Sequence, residues 1–199
     1  MKYCSASVCL SWLLVVLFCG LAVPIWGQTR PVGPLAPKTH RFTYTAVVLV
    51  TGVSQVDLVL RARTWAQQVT PAGQSPVITH GPDSSVVRTT GVCPFACDLS
   101  DLSGKTFMSK LSYTATISLR EGRYQYELTD FFFVSPGVRQ LPPVKTPVES
   151  FYNRNFKAYN DVGSRYQVNM RTCSTEIADE VLAHLQAGMR QPTRTVGSE

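Results

Sequence analysis

The chain has 199 residues, a formal net charge of +6 and 44% hydrophobic residues, which is the size of about one domain with its own core. Its basic residues are scattered rather than clustered. Scattered charge favours a solvated surface over a nucleic-acid footprint, so no nucleic-acid partner is predicted.

The N-terminus has the layout of a secretory signal peptide. Lys2 supplies a short positive segment, residues 8–23 are a nearly unbroken apolar run, and residues 24–27 break that run and end in a small residue. We predict that residues 1–27 are removed, leaving 172 residues that begin at Gln28 and carry a net charge of +5, because Lys2 is the only charged residue lost.

Two other interpretations of this segment remain. A retained membrane anchor is one, although the run is at the short end for spanning a bilayer. A lipoprotein signal cut before Cys19 is the other, although the bulky Phe18 is unfavourable there. We therefore expect export to the periplasm or cell envelope, or secretion, with no stable membrane anchor after cleavage.

Three of the six cysteines remain after this cleavage, namely Cys93, Cys97 and Cys173. An odd number in an oxidising compartment implies at most one internal disulfide and one leftover thiol. A Cys93–Cys97 bridge would close a small turn, whereas a bridge from either residue to Cys173 would tie the C-terminal helix to the sheet. The sequence leaves both pairings open.

The first elements of the mature chain are a leader, a strand and a helix. Residues 28–40 contain three prolines and are predicted to form an extended leader. The side chains of residues 41–51 alternate between two faces, which predicts a strand. Ser54 is then a good N-cap with Asp57 three residues later, and the helix ends at Pro71. Its apolar stripe includes Trp65, which is large enough to anchor the helix on the sheet. The buried face of the strand is predicted to hold Phe42, Tyr44, Ala46, Val48 and Val50.

Two short strands follow at residues 77–80 and 85–92. Residues 93–104 are predicted to be an irregular connection that carries Asp98 and Asp101, whose carboxylates are attributed to solvation rather than to acid–base chemistry.

A long β-hairpin spans residues 107–134 and turns at Glu121-Gly122, where glycine is free to take a positive φ. Its alternating pattern turns the apolar residues of both strands to one face. Phe131 and Phe133 are predicted to lie on the opposite, polar face, either covered by the aromatic residues 151–159 or lining an apolar site. The expected cross-strand pairs are Leu119 with Tyr124, Ile117 with Tyr126, Ala115 with Leu128 and Leu111 with Phe132.

The sheet is predicted to end at residues 135–137, and prolines up to Pro147 suggest a linker. Residues 148–159 are predicted to form a short helix, and the secondary structure of residues 161–170 is ambiguous from the sequence. A last helix is predicted to begin at a Ser174 or Thr175 cap and to close before Pro192. Its apolar positions are Ile177, Val181, Leu185 and Met189.

A strand, a helix, a run of strands and then helices favour an α+β fold, with a curved antiparallel sheet of about five strands and the helices on one face. We expect a single domain over residues 41–190 and a flexible tail over 191–199.

The segments 58–65 and 121–131, at their spacing, resemble an uncharacterised family of exported bacterial domains. That family is described as having a TATA-box-binding-protein-like (TBP-like) fold, and the resemblance covers roughly residues 42–185. The chain departs from the family at Val59, where tyrosine is common, and at Cys93 and Cys97. The resemblance implies fold and export but no activity, and the name of the fold does not imply DNA binding.

The polar face of the hairpin is the candidate binding surface. Beside it, Arg120 and Arg123 flank the turn and are predicted to extend into water around Glu121, with anion binding as the alternative. The face presents Lys110, Ser112, Thr114, Thr116, Ser118, Gln125, Glu127 and Thr129.

No catalytic constellation or cofactor motif is recognised, so we expect a non-catalytic module that binds an unknown ligand or a cell-envelope partner. The alternative is a metal- or thiol-dependent enzyme that uses Cys93, Cys97 and a histidine such as His80. His184 is expected at the surface or boundary of the last helix.

Overall fold

The computed structural model describes residues 35, 40–99, 105–135, 144–152 and 161–191. The predicted signal peptide, almost all of the leader, Asp101 and the tail from residue 192 lie outside these residues. Leu35, from the leader, forms an isolated antiparallel bridge with Phe42.

In the part of the chain that the structure describes, six strands form one antiparallel sheet with the helices on one of its faces, which confirms the predicted α+β class. Along the sheet the order is β1-β5-β4-β3-β2, and β6 also pairs with β5. The elements are β1 Tyr44–Leu49, α1 Gln55–Val69, β2 Val77–His80, β3 Ser85–Leu99, β4 Lys105–Arg120, β5 Arg123–Ser135, β6 Val144–Pro147, a 3₁₀ helix Val148–Tyr152 and α2 Asp161–Arg190.

The first strand and helix form as predicted. The buried face of β1 and its flanks is the predicted one, from Phe42 to Val50. Ser54 caps α1, and its hydroxyl accepts the backbone N–H of Asp57 at 3.1 Å. Trp65 is 1% exposed, so its expected role as an anchor is confirmed.

Two predictions for the connecting segments are wrong. Residues 93–99 are not irregular, because β3 continues through them and pairs with β4 as far as Leu99↔Lys105. Residues 144–147 are not a linker but the edge strand β6, which pairs with β5 from Phe132 to Ser135. Prolines obscured both strands in the sequence, since proline suggests an interruption yet is tolerated at strand ends and sheet edges.

The last helix starts much earlier than predicted. Helix α2 spans 30 residues from Asp161, so Ser174 and Thr175 lie in its interior rather than at its cap. Their hydroxyls donate to the carbonyl oxygens of Met170 and Arg171, four residues back, as serine and threonine do inside helices. Neither α2 nor any other helix in the described part of the chain is both long and apolar enough to cross a membrane.

The hairpin has the predicted register for three of its four pairs, and then a β-bulge shifts it. Ala115 still pairs with Leu128, but Leu111 pairs with Phe133 instead of Phe132. Asp130 causes the shift with a φ of 54°, in the left-handed region that aspartate tolerates better than most residues. An exposed ion pair with Arg41, 3.2 Å long, holds the Asp130 side chain.

The bulge moves two aromatic rings into the core, so their predicted place on the polar face is wrong. Phe131 and Phe133 are 0% and 2% exposed. Phe131 packs edge-on against Phe42 at 5.1 Å between ring centroids. Phe133 contacts Phe151 at 5.4 Å, on the helix side of the sheet, so Phe151 of the predicted aromatic segment does cover it. Residues 153–159 of that segment, which were predicted to continue a short helix, lie outside the described residues. One extra residue in a strand inverts the facing of every later side chain.

Helices α1 and α2 meet at Trp65. A Cβ atom at Gly188 of α2 would lie 3.1 Å from the indole Cδ1, so glycine permits the close approach of the helices. The indole N–H donates to Nδ1 of His184 at 3.2 Å, and the Arg61 guanidinium donates to the Met189 carbonyl at 3.0 Å. A cation at the C-terminal end of a helix is stabilising. Trp65 therefore fixes α1 and α2 as one layer on the sheet.

The hairpin also packs against this layer. Tyr124, Tyr126 and Leu128 are all buried, as expected from their alternation. The Tyr126 hydroxyl hydrogen-bonds to Gln186 of α2. Burial, with a smaller contribution from Tyr126, raises the pKa of Tyr124 to about 12, so its hydroxyl is protonated at neutral pH.

Candidate binding face

The sheet has one face under the helices and one face, here called the open face, that no described element covers. The alternation of β4 and β5 places all the predicted binding residues on the open face, and their side chains are exposed or half-buried. They are Lys110, Ser112, Thr114, Thr116, Gln125, Glu127 and Thr129, with Ser118 beside them.

Threonines from four neighbouring strand segments form a row across the open face. Thr129 pairs with Thr114, which pairs with Thr90. The Thr43 and Thr129 hydroxyl oxygens lie 3.4 Å apart at one end of the row. Sequence reasoning on the hairpin alone missed Thr43 and Thr90, because only the sheet order brings them beside it. The face therefore presents hydroxyl donors and acceptors along a line.

The open face is basic. Neighbouring pairs in the register share a face, which places cations from β3, β4, β5 and β6 together. Two acids, Asp98 and Glu127, share the face with them. The five basic residues on the described strands of this face are Arg88, Lys110, Arg120, Arg123 and Lys145. This excess of positive charge is complementary to an anionic partner.

The open face ends in a groove at the β4–β5 turn. The groove encloses about 290 Å³ and takes its lining from β1, β4, β5 and the turn before β3. Arg120 and Arg123 form a directly opposed cross-strand pair there, as predicted. The other lining residues include Val47, Ser84, Ser118 and Gln125.

The carboxylate of Glu121 is not placed between the two guanidinium groups, which corrects the expectation that the arginines surround it. Its carboxylate accepts the backbone N–H of Gln55 at 2.9 Å, at the start of α1. A carboxylate is stabilised at a helix N-terminus, where backbone N–H groups lack partners. In the described part of the chain, neither Arg120 nor Arg123 forms an ion pair.

The disulfide does not close the small turn that a Cys93–Cys97 bridge would form. Cys97 of β3 is bonded to Cys173 of α2, with 5.7 Å between their Cα atoms, so the Cys93–Cys97 pairing is wrong. The bridge ties the C-terminal helix to the sheet, which was the open alternative. Cys97 and Cys173 come together because β3 continues past residue 92 and α2 begins before residue 174.

This arrangement does not bring together the residues of the alternative metal- or thiol-dependent site. Cys97 is oxidised, and burial, with a smaller contribution from Glu180, raises the pKa of the Cys93 thiol to about 11. A protonated thiol is a weak nucleophile and a weak metal ligand. His80 hydrogen-bonds to Ser85, which is eight residues from Cys93 along β3, roughly 26 Å at the usual ~3.3 Å rise. Within the described residues, no three His, Cys, Asp or Glu side chains cluster as a metal site would require.

A solved bacterial structure shares this architecture. The chain is similar to a DUF4468 family protein from Bacteroides ovatus, with a TM-score of 0.54 and 14% identity over 82% of this chain and 95% of that one. A TBP-like protein from Parabacteroides distasonis matches with a TM-score of 0.45 and 12% identity over 77% of this chain and 97% of that one.

No family model matches the sequence, and no curated protein is similar to it. The likeness to the Bacteroides ovatus structure confirms the expected resemblance at the level of fold. It does not extend to chemistry, because one fold supports many functions.

Proposed function

We propose that this protein is an exported, non-catalytic module that binds an anionic component of the cell envelope on its open face. The observation that carries the proposal is the basic, hydroxyl-rich open face itself, which no described element covers. Basic side chains that form no ion pair within the described residues favour association with a negatively charged partner. The row of threonines supplies neutral hydrogen bonds beside them.

Export rests on the N-terminal layout and is supported by the disulfide. Structural disulfides persist mainly in oxidising compartments outside the cytosol. In bacterial cells, we expect the recovered protein to begin at Gln28, as read by intact mass and N-terminal sequencing. Leu14→Arg, which places a charge inside the apolar run, is the control and should retain the full-length chain in the cytosol. Membrane-bound protein that keeps Met1, or a lipid-modified chain that begins at Cys19, would contradict cleavage after Gly27.

The binding face is tested by site-specific photo-crosslinking in intact cells. A photoreactive phenylalanine derivative at Thr116 should form a discrete adduct with an envelope component, because Thr116 lies at the centre of the open face. The same group at Gln68, exposed on the outer surface of α1, is the matched control and should form none. Alanine substitutions at Thr114 and Thr129 should weaken the Thr116 adduct several-fold.

Adducts of equal yield from both positions, or no adduct from either, would contradict the assignment of the open face. An unchanged Thr116 adduct in the Thr114→Ala and Thr129→Ala variants would show that the threonine row takes no part in binding.

A further inference from the structure

The groove at the β4–β5 turn places two cations side by side, and no carboxylate among the described residues forms an ion pair with either of them. Arg120 and Arg123 are opposed across the strands, where Cβ atoms usually lie about 4.5–5.5 Å apart. Like charges at this spacing destabilise each other. An anion that binds between two such cations offsets their repulsion and is itself held by both.

The internal carboxylate nearest in sequence is held on the other side of the turn. Glu121 bonds to the Gln55 N–H, while Gly122 donates its N–H to the Val53 carbonyl at 3.1 Å and accepts the Val50 N–H at 2.8 Å. These bonds fasten the hairpin turn to the β1–α1 connection. Glu121 is therefore engaged away from the arginines, and within the described residues both guanidinium groups remain available to a ligand.

We propose that this groove binds a single oxyanion group, a carboxylate, phosphate or sulfate, carried by the partner of the open face. This inference rests on the proposed function and names the chemistry that the site recognises. Two guanidinium groups can each donate a fork of N–H bonds to such a group, which is the strongest hydrogen-bonding arrangement available to arginine.

The remaining lining suits one anionic group attached to a larger ligand. The Ser118 hydroxyl and the Gln125 amide add neutral donors, and Val47 adds an apolar wall. The groove encloses about 290 Å³, near the lower limit of about 300 Å³ for small-molecule sites. The rest of the ligand would then extend along the threonine row.

The test measures binding of acetate, inorganic phosphate and sulfate separately, at constant ionic strength, by NMR of the arginine side-chain Nε–H groups and by calorimetry. We expect saturable shifts at Arg120 and Arg123, and the tightest of the three anions identifies the group. Arg120→Gln and Arg123→Gln should each weaken that binding at least tenfold. Both residues are exposed, so the fold should survive, which circular dichroism checks.

Arg63→Gln is the matched control, because it removes one exposed guanidinium group from α1, on the helix side of the sheet. Anion binding by this variant should be unchanged. Equal weakening in Arg63→Gln would show general charge screening, and no saturable binding of any of the three anions would show that the groove holds no oxyanion; either result overturns the proposal.

Crosslinking at Thr116 separates this inference from the proposed function. If Arg120→Gln and Arg123→Gln lower the yield of the adduct, both stand. If the adduct forms equally well without the arginines, the open face still binds its partner and the oxyanion site is wrong. A DNA oligonucleotide that binds the wild type and the Arg120→Gln variant equally would also overturn it. Its phosphates would then be bound by the basic surface in general rather than by the groove.

Discussion

Removing the disulfide between Cys97 and Cys173 is expected to lower the free energy of unfolding by about 2 to 5 kcal/mol. The bridge closes a loop of 76 residues, for which the chain-entropy relation gives about 4.5 kcal/mol. The midpoint of thermal unfolding should fall by roughly 10 °C in a chain of this size. The variant is Cys97→Ala with Cys173→Ala, measured by urea unfolding and by calorimetry.

Cys93→Ala is the control, because Cys93 is a half-buried free thiol that takes no part in the bridge. Its loss should cost about 1 kcal/mol or less, since only a small side chain is removed. Peptide mapping without reductant should recover Cys97 joined to Cys173 and Cys93 open to alkylation under denaturing conditions. A bridge that includes Cys93, or a double variant as stable as the wild type, would contradict this pairing.

Trp65→Ala is expected to destabilise the fold by about 3 to 5 kcal/mol, the usual range for removing a buried aromatic side chain. The loss should be at the upper end of the range, because Trp65 contacts α2 at Gly188 and hydrogen-bonds to His184. Removing the indole therefore loosens α2 from α1 as well as leaving a cavity. Chemical unfolding followed by circular dichroism measures the change.

Two further variants separate the causes. Trp65→Phe keeps most of the apolar volume and loses the hydrogen bond, so it should be less damaging than Trp65→Ala by more than about 1 kcal/mol. Leu60→Ala is the control on the same helix, because Leu60 is 43% exposed and should cost about 1 kcal/mol or less. Similar losses for Leu60→Ala and Trp65→Ala would show that Trp65 does not anchor the layer.

Local sequence patterns predicted the regular parts of the fold well. The period of two in the hairpin predicted the pairs nearest the turn, because a register slip there would expose an entire apolar face. The Ser54 cap and the apolar stripe around Trp65 likewise predicted α1. Both signals are complete within a short stretch of chain, so no distant residue is needed to interpret them.

The errors share a different origin, since each feature depends on residues far away in sequence. Asp130 interrupts the apolar alternation of β5, but the sequence does not show that it adds a residue to the strand; its bulge lies where β1 gives way to β6 along the edge of β5. The strand character of residues 93–99 depends on pairing with β4, and the long first half of α2 depends on packing against the sheet and on the bridge at Cys173.

The candidate site divides in the same way. Sequence alone determined that the hairpin has one polar face and that Arg120 opposes Arg123, because alternation and a two-residue turn are local properties. Only the tertiary structure decided that Thr43 and Thr90 extend that face, and that Glu121 bonds to α1 rather than to the arginines. The physical reason is that sheet order and helix docking are set by burial of the whole core, which no single segment encodes.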